Sequence, residues 1–391
     1  MKFLNNKKKN CNIFIPKTIY SIILILSQKN LNQYDNYILY NRNFRLPKEL
    51  IPFLEKKKFK IIYAPEVHII KSKNILHNNF VYKILKINFF KILINLSNEL
   101  LKIDYKEILN IDLKIYNEIN IYYSSNKFYF SKLINKFKNI NLIFLEHGLG
   151  NFLSFVTENK LASNSLKFKI ENLISFLFFK LRGIHLPGVC YYYGICGREF
   201  NLEKIELYNH KMIFLDGNFK KGFNQIYNFY LRKLQKIKKN RNKKYIFCDV
   251  PEHLNTKAYN KYINLIVNKI KYKKNIIVLI KLHPALNKKF KEFLLLKKKL
   301  KEVKIDYFIF DNKNIPAEVI IKFYDVREIY SSYTTLNYSI YYFWKKQIKT
   351  YAYVSNLVKK KFGNFREFSN FSNNYLVNKK NNKNLSIFTI T

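Results

Sequence analysis

Tryptophan occurs once in this sequence of 391 residues, methionine twice, proline eight times and glycine nine times. Acids are also scarce: 26 Asp and Glu stand against 71 Lys and Arg, giving a formal charge of +45. Lys, Asn, Ile, Phe and Tyr fill the space instead, as an A/T-rich coding sequence would dictate. Much of the charge is therefore compositional filler on solvated faces. A basic chain can attract nucleic acid, anionic lipid or acidic substrates. Here the lysines are spread along the whole length, which argues against a dedicated nucleic-acid surface, and no specific nucleic acid is expected. An anionic membrane surface is a better match, since each clustered lysine adds roughly 1 kcal/mol near such lipid.

Other absences narrow the field. Cys11, Cys190, Cys196 and Cys248 have neither zinc-site nor thioredoxin-type spacing, so reduced buried thiols in a cytosolic protein are expected. No apolar run approaches the roughly 18 residues of a membrane-spanning helix. The basic start "MKFLNNKKKNCNIFI" leads into no small-residue cleavage site, so no signal peptide is expected. The expected location is the cytoplasm, with any membrane attachment peripheral and at the inner face of the plasma membrane. Hydrophobic residues make up 48% of the chain, enough for real cores, and this length calls for two domains.

The pattern along the chain is strand, helix, strand. "CNIFIPKTIYSIILILSQKN" reads as strand, turn and helix, and "YDNYILYNRN" and "FKIIYAPE" as further strands. A helical stretch from Val81 to Leu101 precedes two more apolar runs, "EINIYYSSN" and "INLIFLEHG". Lys167–Leu181, "KFKIENLISFLFFKL", is amphipathic and fits a helix packed on the sheet or one seated at a membrane interface. Arg232–Lys244 holds eight basic residues in thirteen, the sharpest change of composition, and marks an exposed connector. Beyond it the alternation resumes with "YIFCDVPEHLN", "AYNKYINLIVNKI", "NIIVLIKLHP", "IDYFIF" and "REIYSSYTTLNYSIYYFW". The tail "KKNNKNLSIFTIT" carries no clear pattern. Such alternation predicts an α/β fold with two Rossmann-like, parallel-sheet domains and a ligand cleft between them. The boundaries expected are 1–231, a basic linker 232–244, and 245–391.

Open α/β sheets bind ligands beyond the carboxyl ends of their strands, so polar residues that directly follow apolar runs are the candidates. The first cluster is Glu146-His147-Gly148-Leu149-Gly150. With so few glycines in the chain, Gly148 and Gly150 mark a turn able to take positive φ and present Glu146 and His147. A carboxylate or imidazole held there can act as general base toward a hydroxyl. The second is "KLHP", Lys281–Pro284, where Pro284 keeps His283 extended and fixes the direction of its imidazole. The third is Tyr330–Asn337, "YSSYTTLN", with Ser331, Ser332, Thr334 and Thr335 where a strand turns into a helix. Hydroxyls and free N–H groups there suit a phosphate. Just upstream, "NIPAEVI" places Pro316 and Glu318 at a helix start.

Taken in order, an acid-containing Gly turn, His-Pro, Pro-x-Glu and a Ser/Thr-rich turn resemble the bacterial sialyltransferases of the polysialyltransferase type. These are two-domain GT-B enzymes. The resemblance runs from about Asn12 to Phe343, strongest over Ile315–Tyr342 and only rhythmic before residue 140. It implies an inverting, metal-independent glycosyltransferase with no cofactor beyond its donor, CMP-sialic acid. Residues 245–391 would bind the donor and 1–231 an anionic glycan acceptor, lipooligosaccharide or capsule-like. His283, beside Pro284, would meet the CMP phosphate, together with Ser331, Ser332, Thr334 and Thr335, and Glu318 would lie near the cytidine. Relatives carry a second acid where this chain has His147, so the base is either Glu146 or His147. A CDP-glycerol glycerophosphotransferase-like polymerase shares "EHG" and "KLHP", although its turn normally carries acids that "IYSSYTTLNYS" lacks. Another nucleotide-sugar transferase, or a non-catalytic basic surface- or nucleic-acid-binding protein, are the remaining readings. The acceptor, the linkage, single transfer against polymerisation and the oligomeric state are not legible.

Overall fold

The computed structural model describes residues 9–40, 46–63, 111–124, 133, 136–146, 177, 181, 189–195, 211–235, 239–240, 242–250, 256–282, 291–310, 312, 314–332, 336–344, 348–355 and 385–390. They fall into two units, each built on one all-parallel sheet, as expected of two Rossmann-like domains.

The first sheet comprises β1 (Lys9–Ile15), β2 (Tyr34–Tyr40), β3 (Phe59–Tyr63), β4 (Tyr116–Tyr123), β5 (Ile140–Leu145), β6 (Val189–Tyr193) and β7 (Lys211–Phe214). Its order is 3-2-1-4-5-6-7. The chain moves outward from β1 to β3 and then returns to the other side of β1, the strand-order switch at which such sheets open a crevice. Helix α1 (Ile19–Leu26) follows β1; Thr18 caps it by accepting the Ser21 N–H at 3.3 Å, and Ser21–Leu26 are all buried. Capping of this kind is worth about 1 kcal/mol. Helix α2 (Leu50–Lys56) follows β2.

This sheet hides a polar ladder inside its core. Asn12 on β1 is in register with Asn36 on β2 and Asn120 on β4, and Asn120 with Asn141 on β5. Asn12 donates to Asn36 at 2.9 Å, Asn120 donates to Asn12 at 3.2 Å, and Asn141 donates to Asn120 at 2.9 Å. Asn36 closes one end by donating to the carbonyls of Leu31 and Tyr34, and Asn141 closes the other on Glu118. Asn12, Asn36 and Asn120 are buried, yet every step of the ladder finds a partner, so burial costs little. A slip of one residue would break the whole row of side-chain hydrogen bonds, so the ladder pins the register.

The second sheet comprises β8 (Lys244–Val250), β9 (Ile276–Leu282), β10 (Asp306–Phe310), β11 (Glu328–Ser332), β12 (Lys349–Ser355) and β13 (Leu385–Ile390), in the order 10-9-8-11-12-13. Its switch point is the β8/β11 pair. Helices α3 (Phe219–Leu234), α4 (Thr256–Ile270), α5 (Lys291–Glu302), α6 (Ala317–Tyr324) and α7 (Leu336–Trp344) cover it. On α4, Tyr259, Tyr262, Ile263, Ile266 and Ile270 form one buried stripe at helical spacing. They pack on Ile246, Cys248, Val278, Ile280 and Leu282 from β8 and β9.

Two features differ from the sequence expectation. The main division falls between Gly217 and Asn218, one helix before the expected linker at 232–244. Helix α3, expected within 1–231, belongs to the second unit because its buried face packs there against α6 and α7. Phe223 stacks on Phe343 at 4.6 Å and Asn224 accepts from Lys322 at 2.8 Å. Arg232 and Lys233 are the last turn of α3, where cations offset the helix dipole, and Lys244 already begins β8. The tail also contributes structure, since β13 adds in parallel to the edge strand β12. Among the described residues no helix is long and apolar enough to cross a membrane.

The helical stretch expected at Val81–Leu101 lies outside the described residues. So does most of Lys167–Leu181, of which Leu181 is exposed.

Candidate active site

In the first unit, Glu146 directly follows β5, as its position after the apolar run implies. Its side chain is fully buried. Tyr20, in the first turn of α1, donates to Oε1 at 2.7 Å, and Tyr192 on β6 donates to Oε2 at 2.5 Å. The main chain is held as well: the Glu146 N–H donates to the Tyr193 carbonyl at 3.1 Å, and Ser21 Oγ donates to the Glu146 carbonyl at 3.4 Å. Gly194 makes room for this arrangement, since a Cβ there would lie 2.3 Å from Glu146 Oε2. Both oxygens of the carboxylate are thus engaged by phenols, beside the N-terminal turn of a helix, whose dipole favours an anion. His147, Gly148 and Gly150 lie outside the described residues, as do His283, Pro284, Thr334 and Thr335.

The second unit gathers charge at the carboxyl end of its sheet. Asp249 near the end of β8 is in register with Lys281 near the end of β9. Both alternate with residues that face the α4–α5 core, so both point to the opposite side of the sheet. There they meet Glu318, in the first turn of α6, whose charge acts on Asp249 and is itself acted on by Lys281. Lys281 and Glu318 are buried. Ser339 on α7 donates to Glu318 Oε1 at 2.8 Å, and Asn337 donates to Ser331 Oγ at 2.7 Å.

Ser331 and Ser332 are the last two residues of β11 rather than members of the turn after it, and neither is exposed. Ser331 is committed to Asn337. Ser332 Oγ sits near enough to Asp249 to favour its charged form, yet it makes no hydrogen bond of acceptable geometry to any described group. A buried hydroxyl in that state costs about 1–3 kcal/mol. Glu318 begins its helix behind Pro316, as "NIPAEVI" suggests.

Desolvation governs the titration of this cluster. Asp249 keeps some surface, but burial of its carboxyl, reinforced by Glu318, pushes it up to about 6 against the pull of Lys281, the Val250 N–H and Ser332. Burial also raises Glu318, opposed by its own backbone N–H, Ser339 and Lys281. Cys248 beside them is a free, buried thiol that burial pushes up to about 12, and Cys11 in the first sheet behaves alike. Neither is poised as a nucleophile.

Sequence reasoning singled out Glu318, Ser331 and Ser332, and the fold brings them together. It did not single out Asp249, or Lys281 as a site residue, because both lie inside apolar strand runs. The strand-end rule that found "HP" would have reached them had it begun one or two residues earlier. Tyr20 and Tyr192 gave no signal among so many tyrosines.

No protein-family model matches the chain, and no curated protein sequence matches it. Among solved structures, the glycotransferase of kitacinnamycin superposes with a TM-score of 0.51 at 8% identity, over 98% of this chain and 87% of the other. The sialyltransferase from Photobacterium damsela gives 0.44 at 10% identity over 97% and 81%. The UDP-GlcNAc 2-epimerase from Methanocaldococcus jannaschii gives 0.45 at 11% identity over 98% and 89%. Likeness at such identity is likeness of fold: two Rossmann-like α/β domains of the GT-B kind.

Proposed function

We propose that this chain is an inverting glycosyltransferase that moves sialic acid from CMP-sialic acid to an anionic surface glycan, lipooligosaccharide or capsule-like. The observation that carries the reading is the desolvated cluster of Asp249, Lys281, Glu318 and Ser332 at the carboxyl ends of β8, β9 and β11. That is where parallel sheets receive nucleotides, and it coincides with "KLHP" and "YSSYTTLN". The GT-B-type fold supports a sugar-nucleotide donor, and the motif order supports CMP-sialic acid in particular.

In this reading the second unit holds the donor. His283, beside Pro284, meets the departing phosphate, with Ser331, Ser332, Thr334 and Thr335 around it and Glu318 near the cytidine. His147 acts as base on the acceptor hydroxyl. Glu146, buried and bonded to Tyr20 and Tyr192, positions the turn that carries it. The hydroxyl attacks the anomeric carbon as CMP leaves, and pre-placed donors meet the charge developing on the phosphate. No metal is assigned a step. The basic field suits an anionic donor, an anionic acceptor and peripheral seating on the inner face of the plasma membrane.

The test is CMP release from CMP-sialic acid, supplied with sialylated and galactosyl acceptors. Wild type is expected to turn over, and His147→Ala and His283→Ala to lose on the order of 100-fold or more. An inert wild type that binds no CMP-sugar overturns the donor assignment. CDP-glycerol is then the next donor, because Lys281 of "KLHP" is built into the buried cluster and that motif is shared with glycerophosphotransferase-like polymerases.

A further inference from the structure

We propose that Tyr63, braced by Tyr40, is a stacking platform for a sugar of the acceptor that is remote from the reacting hydroxyl. The first unit then takes an extended glycan chain and not a terminal sugar alone. This rests on the glycosyl-transfer reading above and names the kind of acceptor that site binds.

Tyr40 is the last residue of β2 and Tyr63 the last residue of β3, and the two are in register. Their ring centroids lie 5.1 Å apart with the planes inclined at 49°. The two side chains therefore share one face of the sheet and support each other at its carboxyl edge. Tyr40 is mostly buried, whereas Tyr63 is 51% exposed. Among the described tyrosines only Tyr272 is also exposed. That residue lies in the turn between α4 and β9, at the amino edge of the second sheet, with Lys271 over its ring at 4.9 Å. Among the described tyrosines, Tyr63 thus combines an exposed ring, an aromatic support and the edge at which parallel sheets receive ligands.

The chemistry of this spot fits a pyranose. A sugar ring carries C–H bonds on its faces and hydroxyls around its rim. The flat face of a phenol receives the former, while its own hydroxyl stays wet beside the latter. A ring already braced by a neighbour has little rotamer freedom left to lose on binding. The rest of β3 does not suit a protein partner, which needs roughly 800 Å² of surface. Lys60 is exposed, and Ile61 and Ile62 are mostly buried, so no apolar patch extends from Tyr63 along the strand. Position sets the length of the ligand. Along the carboxyl edge the strands run β3, β2, β1, β4, β5. Four inter-strand spacings, about 19 Å in all, separate the end of β3 from the end of β5, where Glu146 and then His147 follow. A single sugar activated there cannot reach Tyr63; a chain of several sugars lying along the edge can.

The probes are sialic acid oligomers and galactose-containing oligosaccharides, each supplied as dimer and as hexamer. Binding to the full chain is followed by saturation-transfer NMR, and transfer from CMP-sialic acid by CMP release. Tyr63→Ala is expected to weaken hexamer binding and raise its KM about 3- to 10-fold, as for a lost aromatic contact. Dimer binding, kcat and CMP affinity are expected to stay unchanged, and the thermal midpoint reports that the variant is folded. Tyr63→Phe, which keeps the ring, is expected to bind the hexamer as wild type does. Equal hexamer binding by Tyr63→Ala and wild type overturns the inference. So does an equal loss for dimer and hexamer, which would put the ring beside the reacting sugar. Wild type that binds CMP but neither hexamer also overturns it and leaves the donor reading standing. If wild type binds a hexamer but does not turn over CMP-sialic acid, the donor assignment falls, and the comparison with Tyr63→Ala still decides the platform.

Discussion

The first sheet buries asparagines that bond to one another across four strands, whereas the second gathers a desolvated Asp249, a buried Glu318 and a buried ammonium beside a hydroxyl, Ser332, that makes no hydrogen bond of acceptable geometry among the described residues. Both sheets are parallel, both switch strand order beside their first strand, and both place polar groups where apolar ones would be cheaper. The difference lies in the kind of group and in where it sits. In the first, Asn12, Asn36, Asn120 and Asn141 spend their hydrogen bonds within the row, and even Glu146 is closed off by two tyrosines. In the second, charge is concentrated at the carboxyl edge, where Asp249 and Glu318 both act on Lys281. Polarity that satisfies itself specifies register and position; polarity left wanting a partner marks where a ligand is received.

The largest effect that would sharpen this contrast is the loss of Lys281. Lys281→Met leaves the desolvated Asp249 and the buried Glu318 without the ammonium that acts on both, and stability is expected to fall by about 3–5 kcal/mol, read from denaturant midpoints. If the variant is as stable as wild type, the cluster is not desolvated as described.

Asp249→Asn is expected to act in the opposite direction. Folded Asp249 keeps its proton up to about 6, whereas an exposed aspartate releases it near 3.8. The folded state therefore binds more protons between these values, and stability falls as pH rises through that window. The deficit persists above it. Asparagine removes the deficit, so thermal melts should show a gain of up to roughly 3 kcal/mol at about pH 7.5 and little change at about pH 4. An equal gain at both pH values would assign the effect to packing.

In the first sheet, Asn120→Leu strands Asn12 Oδ1 and leaves Asn141 with Glu118 alone. A cost of about 2 kcal/mol is expected, with no effect on nucleotide affinity. Tyr192→Phe removes one of the donors to Glu146 and should cost about 1–2 kcal/mol, the range for a hydrogen bond to a charged group. Altered nucleotide affinity in Asn120→Leu would break the division between the two kinds of buried polarity.

Much of this architecture is legible in the sequence, for a physical reason. Strands of a parallel sheet are buried on both faces, so β1, β5, β8 and β9 appear as continuous apolar runs, each ending in polar residues at the functional edge. The domain boundary was read from charge and fell late, because a run such as Arg232–Lys244 reports exposure and not which sheet a helix covers. Residues 219–231 were counted with the first domain by that boundary, although they form most of helix α3 and pack in the second unit. The Asn ladder was invisible because Asn is everywhere in this composition; only register shows that four of them align. Asp249 and Lys281 were hidden by lying within strands, and β13 by a tail dominated by Lys and Asn.

Ser332→Ala is the most direct test of whether unsatisfied polarity marks the ligand site. The substitution deletes a buried hydroxyl that makes no hydrogen bond of acceptable geometry to a described group and only favours the charged form of Asp249, so unliganded stability should stay within about 0.5 kcal/mol of wild type. Affinity for CMP, measured in the same preparation, should fall about tenfold or more, as for a lost hydrogen bond to a charged group. A variant that binds CMP as tightly as wild type would contradict the assignment of this edge to the nucleotide.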